Sequence, residues 1–409
     1  MQALLVLPYL ENIYFEFDND FSAFEALGIN RFSRLRQLRL SYRSYIALEE
    51  ATKFPDHIAQ LIRESPLLSH LELIGPLFNM DHFSFQNLTK LVPSHQPLRL
   101  ESLRVSNAVM GQESMIHLRS LSSLALRYNE ALLSNFEDFD AQKVDNTIDA
   151  MRKEEIKLKE LSIDRLSESL CRFLASFSGL QSISIGHEDG YNHLQLDRST
   201  SDIFFQHVLL RHSQTLKTLI LRTRSPNNSL VFNHNRANPF KVCPNLTRCG
   251  ITVLIDDTPS CLGKALESIV ASGVQLDILN IWYSDFNSPP PGCMNGYYSF
   301  EEKAQMLAHM WVKSLLIDDP HLYPREIHLP EIYQTRRKGA QLNDPYKLVP
   351  SEKIPGRYVY RVPEDIELAQ LSELANDRDG TDEDDGYDSE GPEDPNEHVK
   401  RACVYSYDS

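Results

Sequence analysis

The chain is 409 residues long, 42% of them hydrophobic and 24% charged, and its formal net charge at pH 7 is −16. These proportions are typical of a folded protein, and the charge disfavours DNA or RNA as the main ligand because an acidic surface repels a polyanion. No apolar run reaches the roughly 18 residues of a membrane-spanning helix, and Ala3–Leu7 is too short for a signal peptide, so we expect a cytoplasmic or nuclear protein without membrane contact.

One pattern, L-x-x-L-x-L with Ile, Val, Phe or Cys as substitutes, recurs through most of the chain. Its last four residues alternate apolar and polar side chains, which is the two-residue period of a β-strand. The leading Leu is predicted to pack inward where the strand begins. Units of this size cannot bury their apolar faces alone, so neighbouring units must share one core. The ten copies begin at Leu10, Leu35, Leu68, Leu100, Leu121, Leu158, Leu180, Leu216, Leu246 and Leu276.

Segments with helical spacing separate these predicted strands. Leu170, Phe173, Leu174 and Phe177 follow the spacing i, i+3, i+4, i+7, and Ser167 stands at a candidate N-cap position. Three further stripes have this spacing: Ile58, Leu61 and Ile62; Phe205, Val208 and Leu209; and Leu262, Ala265, Leu266, Ile269 and Val270. A doubly wound sheet would also alternate strands and helices, but ten near-identical strand starts favour an α/β leucine-rich-repeat solenoid.

The repeats are predicted to form a curved solenoid with a parallel concave sheet and convex helices. Regular short repeats carry Asn at the ninth position, counting the leading Leu as the first, where its side chain bonds the loop backbone. Only the copy at Leu121 has this residue, at Asn129. We therefore expect irregular repeats.

The chain is predicted to divide into three parts. The solenoid should occupy residues 1–316 and end in a capping helix. Ser299 and Glu302 form a capping box, which is typical of a helix start. The apolar stripe that follows comprises Ala304, Leu307, Ala308, Trp311 and Leu315. Residues 317–375 form a Pro-rich extension, in which 358–362 could add one strand and a short helix could follow Pro363. Residues 376–409 form an acidic tail that is predicted to be disordered, since 377–394 holds ten acidic residues and one Arg. No polar capping unit precedes the first strand, so we expect either an upstream start or other cover for that edge.

No catalytic spacing is found, neither a nucleophile elbow, nor a zinc-protease motif, nor a phosphate-binding loop. His187, Asp189 and His193 lie close together and could bind a metal, but a polar loop explains them as well. The six cysteines, at 171, 243, 249, 261, 293 and 403, lack close pairing and are expected to be reduced thiols, with Cys249 at an inward strand position. We expect no enzyme activity, no cofactor and no metal.

Outward strand positions are predicted to form one continuous protein-binding surface on the concave side. Trp282 is the most informative of them, because a large aromatic at an outward position implies cover, either from the loop 285–298 or from a partner. We expect binding to centre on the C-terminal half of this surface. The predicted binding residues are Tyr14, Arg39, Glu72, Arg104, Arg127, Asp164, Arg222, Arg248, Asn280 and Trp282, with Glu16 on the same surface.

The amino-acid sequences of several repeats resemble those of a known family. The segments HIAQLIRESPLLSHLEL, VLLRHSQTLKTLIL and KVCPNLTRCGI are similar to repeats of fungal F-box leucine-rich-repeat proteins, and the resemblance covers about residues 8–285. In that family, the F-box docks on the Skp adaptor of an SCF ubiquitin ligase and the repeats hold the substrate.

The F-box itself is not found, since Leu7-Pro8 is the only likeness to its start. Two interpretations remain. The chain could be the substrate-recognition part of an SCF-type receptor, with the Skp adaptor as a partner only if an F-box lies upstream. Alternatively, it could be a stand-alone leucine-rich-repeat scaffold with no link to ubiquitination.

Overall fold

The protein forms a long, open sheet of 13 strands that follow one another in sequence order, β1 to β13. The computed structural model describes residues 10–17, 34–42, 54–74, 85–106, 110–127, 141–186, 198–223, 230–232, 239–254, 258–284, 307–329 and 345–362. All of them belong to a compact unit, Met1–Asp365. The second unit, Ile366–Ser409, lies outside the described residues, and with it the predicted acidic tail and the helix after Pro363.

Ten strands coincide with the ten repeat copies. They are β1 Asn12–Phe17, β2 Gln37–Tyr42, β3 His70–Ile74, β4 Ser102–Ser106, β5 Ser123–Arg127, β6 Glu160–Ile163, β7 Ser182–Ile185, β8 Thr218–Leu221, β9 Arg248–Leu254 and β10 Ile278–Ser284. Each pairs with the next in parallel, and this long parallel sheet is compatible with a solenoid.

The same backbone contact joins each unit to the next. In the first such contact, the carbonyl of Glu11 accepts hydrogen bonds from the amides of both Arg36 and Gln37. The carbonyl of Arg36 then accepts from Ser69 and His70, and the pattern recurs as far as Thr247, whose carbonyl accepts from the amides at 277 and 278. The starts of β1 to β10 are thus held in the same register.

The predicted inward row is confirmed. Leu38, Leu71, Leu103, Leu124, Leu161, Leu219 and Leu279 are register neighbours or lie in line across the sheet, and each is at most 2% exposed. Cys249 also faces inward and is fully buried. Nine leading leucines are buried as predicted, and Leu10 is only partly buried. These side chains form one cluster with the apolar residues of the helices.

The helices follow the strands as the spacing predicts. The α-helices are Phe54–Arg63, Phe85–Thr89, Ala141–Lys153, Glu168–Ala175, Arg198–Ile203, Leu209–His212, Pro239–Val242 and Thr258–Ser272; Phe204–Val208 is a π-helical turn, and Gln112–Leu118 and Pro320–Leu322 are 3-10 helices. The oxygen of Ser167 accepts a hydrogen bond from the Leu170 amide at 3.2 Å, which confirms the predicted N-cap. The predicted stripe of Phe205, Val208 and Leu209 lies in the π-helical turn and the start of the helix after it, and the continuous helical segment begins at Arg198.

The sheet extends beyond residue 316. Three short strands follow, β11 Glu326–His328, β12 Tyr346–Pro350 and β13 Tyr358–Arg361, of which only β13 was predicted. β11 continues the parallel run, whereas β12 and β13 are antiparallel to their neighbours.

The predicted capping helix is present over residues 307–314, and its proposed capping box lies outside the described residues. Ala308 is buried and Trp311 is partly buried, as predicted. Leu307 was predicted on the same face, but this is wrong, because its side chain is 42% exposed. The buried positions of this helix are Ala308, His309 and Val312.

Two buried histidines connect repeats. The Nδ1 of His212 accepts from the Leu180 amide at 3.3 Å, and its Nε2 donates to the Leu174 carbonyl at 2.9 Å, so the ring is neutral. The Nδ1 of His117 accepts from the Leu98 amide at 3.2 Å. Burial lowers the pKa of both rings; at His212, the hydrogen bond to Leu174 opposes this shift and nearby Arg211 adds to it.

These histidines predict a loss of stability in mild acid. The unfolded rings take up a proton near their ordinary pKa of about 6.5, whereas the folded rings resist it. Their contribution is therefore complete above pH of about 6.5 and declines as the pH falls towards their lowered pKa. We expect His212→Gln to flatten the dependence of the unfolding free energy on pH between about pH 7 and 5. The exposed His207 provides the control: His207→Gln should leave the slope unchanged, and equal slopes in all three proteins would contradict the assignment.

Among the helices of the described residues, none combines the length and the hydropathy required to span a bilayer. Cys171, Cys243 and Cys249 are buried free thiols.

Candidate functional site

Side chains that point away from the buried cluster form the outward face of β1–β10. Strand pairing sets them in rows across the sheet. From β1 to β10, the middle row is Tyr14, Arg39, Glu72, Arg104, Ala125, Ser162, Ser184, Ile220, Gly250 and Asn280. Glu16, Arg127 and Trp282 lie two residues further along their strands, and Arg248 lies in the row on the other side of the middle row.

At the N-terminal end of the face, neighbouring side chains contact one another in a continuous series. The Tyr14 side chain is exposed, and the Arg39 guanidinium lies 4.7 Å from the centre of its ring. The Tyr14 hydroxyl donates to a Glu16 carboxylate oxygen at 3.1 Å, and Arg39 forms an ion pair with Glu72 at 3.3 Å. A cation–π contact of this kind restrains both side chains, so the fold presents an aromatic ring in a defined position.

The next cation, Arg104, is partly buried. Its Nε is closed to solvent and has no hydrogen-bond partner among the described residues. Its register partners are Glu72, which Arg39 already engages, and Ala125, which has no polar side chain.

The C-terminal end of the face is built around Trp282. The Trp282 ring lies over Gly250 of the adjacent strand, where an added Cβ would be 2.5 Å from a ring carbon. The Arg222 guanidinium lies 5.1 Å from the ring centre. The sequence predicted cover from the loop 285–298 or from a partner; that loop lies outside the described residues, and the cover that the structure describes comes from Gly250 and Arg222.

The Arg222 backbone is held from both sides. Its amide donates to the Ile185 carbonyl at 2.8 Å. On the other side, the buried Thr252 hydroxyl lies 3.3 Å from the Leu221 carbonyl and 3.1 Å from the Thr223 amide, so it bonds both residues that flank Arg222. The side chain that stacks on Trp282 is thus carried by a fixed backbone, and fixed donors favour recognition because less entropy is lost on binding.

Two predicted binding residues offer little surface. Asp164 is 7% exposed and Asn280 is 8% exposed, although both were predicted to be accessible. Asn280 lies beside Gly250, and its amide nitrogen is 3.5 Å from the Cys249 carbonyl. Arg248 is exposed, and Arg127 and Glu72 are partly buried.

Gly250, Ile220 and Thr252 were missed as components of the face. Of these, Gly250 had a detectable signal, because a glycine inside a strand indicates the close approach of another group. Trp282 is that group. Whether Ile220 and Thr252 belong to the face depends on which strands are neighbours, and no local sequence pattern predicts the neighbours of a strand.

The described residues include potential metal ligands and three buried thiols. Within the described ranges, no three His, Cys, Asp or Glu side chains come together as a metal site requires. The predicted alternative at His187, Asp189 and His193 lies outside them. Burial raises the pKa of the Cys171 thiol to about 12, with a further contribution from Glu168, and burial raises the pKa of Cys243 to about 11. These thiols stay protonated and are poor nucleophiles at neutral pH.

Neither protein-family models nor curated proteins give a significant match to this chain. Its class is defined by its architecture, an α/β protein with a long, open and mostly parallel sheet of 13 strands.

Proposed function

We propose that this chain is a leucine-rich-repeat solenoid that binds a partner protein on its outward face, as the substrate-recognition part of an SCF-type ubiquitin ligase receptor. The observation that carries the proposal is the outward face itself, which continues in register over ten strands and presents aromatic and arginine side chains in fixed contacts. Aromatic and arginine residues contribute most of the affinity in many protein interfaces.

Support for the position of the binding centre comes from Trp282 and Arg222. They combine a large apolar surface with a charged donor group, and their contacts hold both in place. The ubiquitin ligase role rests on the resemblance of the repeats to fungal F-box leucine-rich-repeat proteins.

The test is affinity capture of the full chain after cross-linking in fungal cells, followed by affinity measurement with each purified partner. We expect Trp282→Ala and Arg222→Ala to weaken the same partner by about 1–3 kcal/mol each. Arg172→Glu is the control, because Arg172 is an exposed helix residue paired with Glu168 and does not belong to the outward face. Thermal unfolding of each variant verifies that the fold is intact.

The outcomes separate the alternatives. Capture of the Skp adaptor, together with accumulation of the partner when the proteasome is inhibited, supports the receptor role. A face-dependent partner without the adaptor favours the stand-alone scaffold. If both face variants bind as the unmodified chain does while Arg172→Glu abolishes binding, the outward face is not the site.

A further inference from the structure

We propose that the partner protein carries a short acidic segment beside the group that contacts Trp282, and that this segment binds a basic strip where strands β6–β9 begin. The basic strip consists of Lys159, Lys217 and Arg248. The inference rests on the proposed function, because it assigns the chemistry of the partner that the outward face binds.

The backbone contact that joins each unit to the next fixes the position of the basic strip. The carbonyl of Lys159 accepts from the amide of Gln181, whose carbonyl accepts from Lys217. The carbonyl of Lys217 accepts from the amides of Thr247 and Arg248. The residues 159, 181, 217 and 247 therefore occupy equivalent positions on successive units, at the starts of β6, β7, β8 and β9. All of these side chains, and that of Arg248, are exposed.

The units around the basic strip are basic, although the whole chain is acidic. Residues 181–254 contain eight Lys or Arg and four Asp or Glu, a net charge of +4, whereas the whole chain has −16. The register partners of Arg248 are Thr218 and Ile278, which carry no charge. Gln181 and Thr247, which flank Lys217 in the neighbouring units, are also uncharged. A basic patch of this kind attracts an acidic partner and disfavours other partners.

The two acidic residues that border the basic strip contact groups on the sides away from it. Glu160, at the start of β6, accepts a hydrogen bond from the Ser123 hydroxyl of β5 at 3.1 Å. Asp277, just before β10, forms an ion pair with Arg325, just before β11, at 3.5 Å. Both carboxylates are thus directed away from β7–β9, and the charge of the basic strip is left to a partner.

The basic strip lies next to the proposed binding centre at Trp282. Arg248 and Gly250 lie on the same face of β9 with their Cα atoms about 7 Å apart, and the Trp282 ring lies over Gly250. Strand spacing places the Cα atoms of Lys159 and Lys217 about 10 Å apart and those of Lys217 and Arg248 about 6 Å apart. An extended segment that crosses from β6 to β9 spans about 14 Å, so about five residues with two or three carboxylates match the basic strip.

The same charges favour an acidic protein segment over a nucleic acid. RNA and DNA carry one phosphate for each nucleotide, and a chain of them that continues beyond the basic strip meets a protein of net charge −16. A short run of carboxylates ends where the basic strip ends.

The experiment measures binding of fluorescent peptides to the purified full chain by anisotropy. The probe has a phenylalanine followed two residues later by three aspartates, all among serines, and the comparison peptide has asparagines in place of the aspartates. We expect the acidic probe to bind about tenfold more tightly than the neutral peptide, with a difference that shrinks as salt rises. The double variant Lys217→Gln/Arg248→Gln should weaken the acidic probe about tenfold and leave the neutral peptide unchanged.

Arg63→Gln/Lys264→Gln is the matched control, because both residues are exposed on helices and their loss changes the net charge equally. It should change the affinity for the acidic probe less than about twofold. Thermal unfolding verifies that both double variants are folded.

Three results overturn the proposal. The Lys217→Gln/Arg248→Gln variant binds the acidic probe as the unmodified chain does, the control double variant weakens the probe as much, or an eight-nucleotide RNA binds more tightly than the probe through the same two residues. A captured partner that requires Trp282 but binds the Lys217→Gln/Arg248→Gln variant unchanged also overturns this inference, and it leaves the proposed function intact.

Discussion

Replacing Gly186 with alanine is expected to destabilise the protein by more than about 3 kcal/mol, since two penalties add. The residue has φ of +97°, which side-chain-bearing residues rarely adopt. The added Cβ would also meet the Arg222 carbonyl oxygen at 2.0 Å. This oxygen belongs to the backbone and cannot rotate away, so the ends of β7 and β8 must separate. Denaturant unfolding followed by circular dichroism measures the effect.

Gly179 separates the two penalties. It has a similar φ of +103°, but an added Cβ would have nothing within 4 Å. Gly179→Ala should therefore show the backbone penalty alone, about 1 kcal/mol. Equal losses for the two variants would mean that the close approach to Arg222 is not a constraint. Because Gly186→Ala displaces Arg222, partner binding should weaken as well, even under conditions where the variant is folded.

Leu219→Ala is expected to cost about 2–5 kcal/mol. The side chain is fully buried in the inward row, between Ile183 of β7 and Cys249 of β9. Its removal leaves a cavity in a core that two neighbouring units share, and the strands on both sides are held in register by their own hydrogen bonds, so collapse around the cavity is limited.

Thr218 supplies the control for this prediction, since it precedes Leu219 and its partly exposed side chain points to the other face of the sheet. Thr218→Ala should change the unfolding free energy by less than about 0.5 kcal/mol. A loss at Thr218 that equals or exceeds the loss at Leu219 would contradict the inward register.

Much of the sheet could be predicted because its signals are local. The alternation within L-x-x-L-x-L identifies a strand, and the leading Leu identifies its start, without knowledge of any other repeat. β11 and β12 lack this pattern. Glu326–His328 has only three residues, and Tyr346–Pro350 pairs antiparallel, so neither repeats the signal of the earlier strands.

The outward face was harder to predict, since contacts across it depend on which side chains the register brings together. The alternation placed Arg222 and Trp282 on one face correctly, but the Trp282 ring lies over the bare surface of Gly250, which only the register brings beside it. Asp164 is a second residue whose environment the sequence did not predict. A charged residue just beyond a strand was expected to be exposed to solvent, but its side chain is buried by surroundings that no local pattern encodes.

The order of the strands has a consequence for synthesis. From β1 to β11, every strand pairs with the one made just before it. A nascent chain can therefore extend the sheet as each unit leaves the ribosome, without waiting for a distant segment to be translated. Domains whose first and last strands must meet have no such option. Each new unit also covers the exposed apolar edge of the previous one, so a ribosome that pauses holds a shorter sheet rather than an unfolded chain.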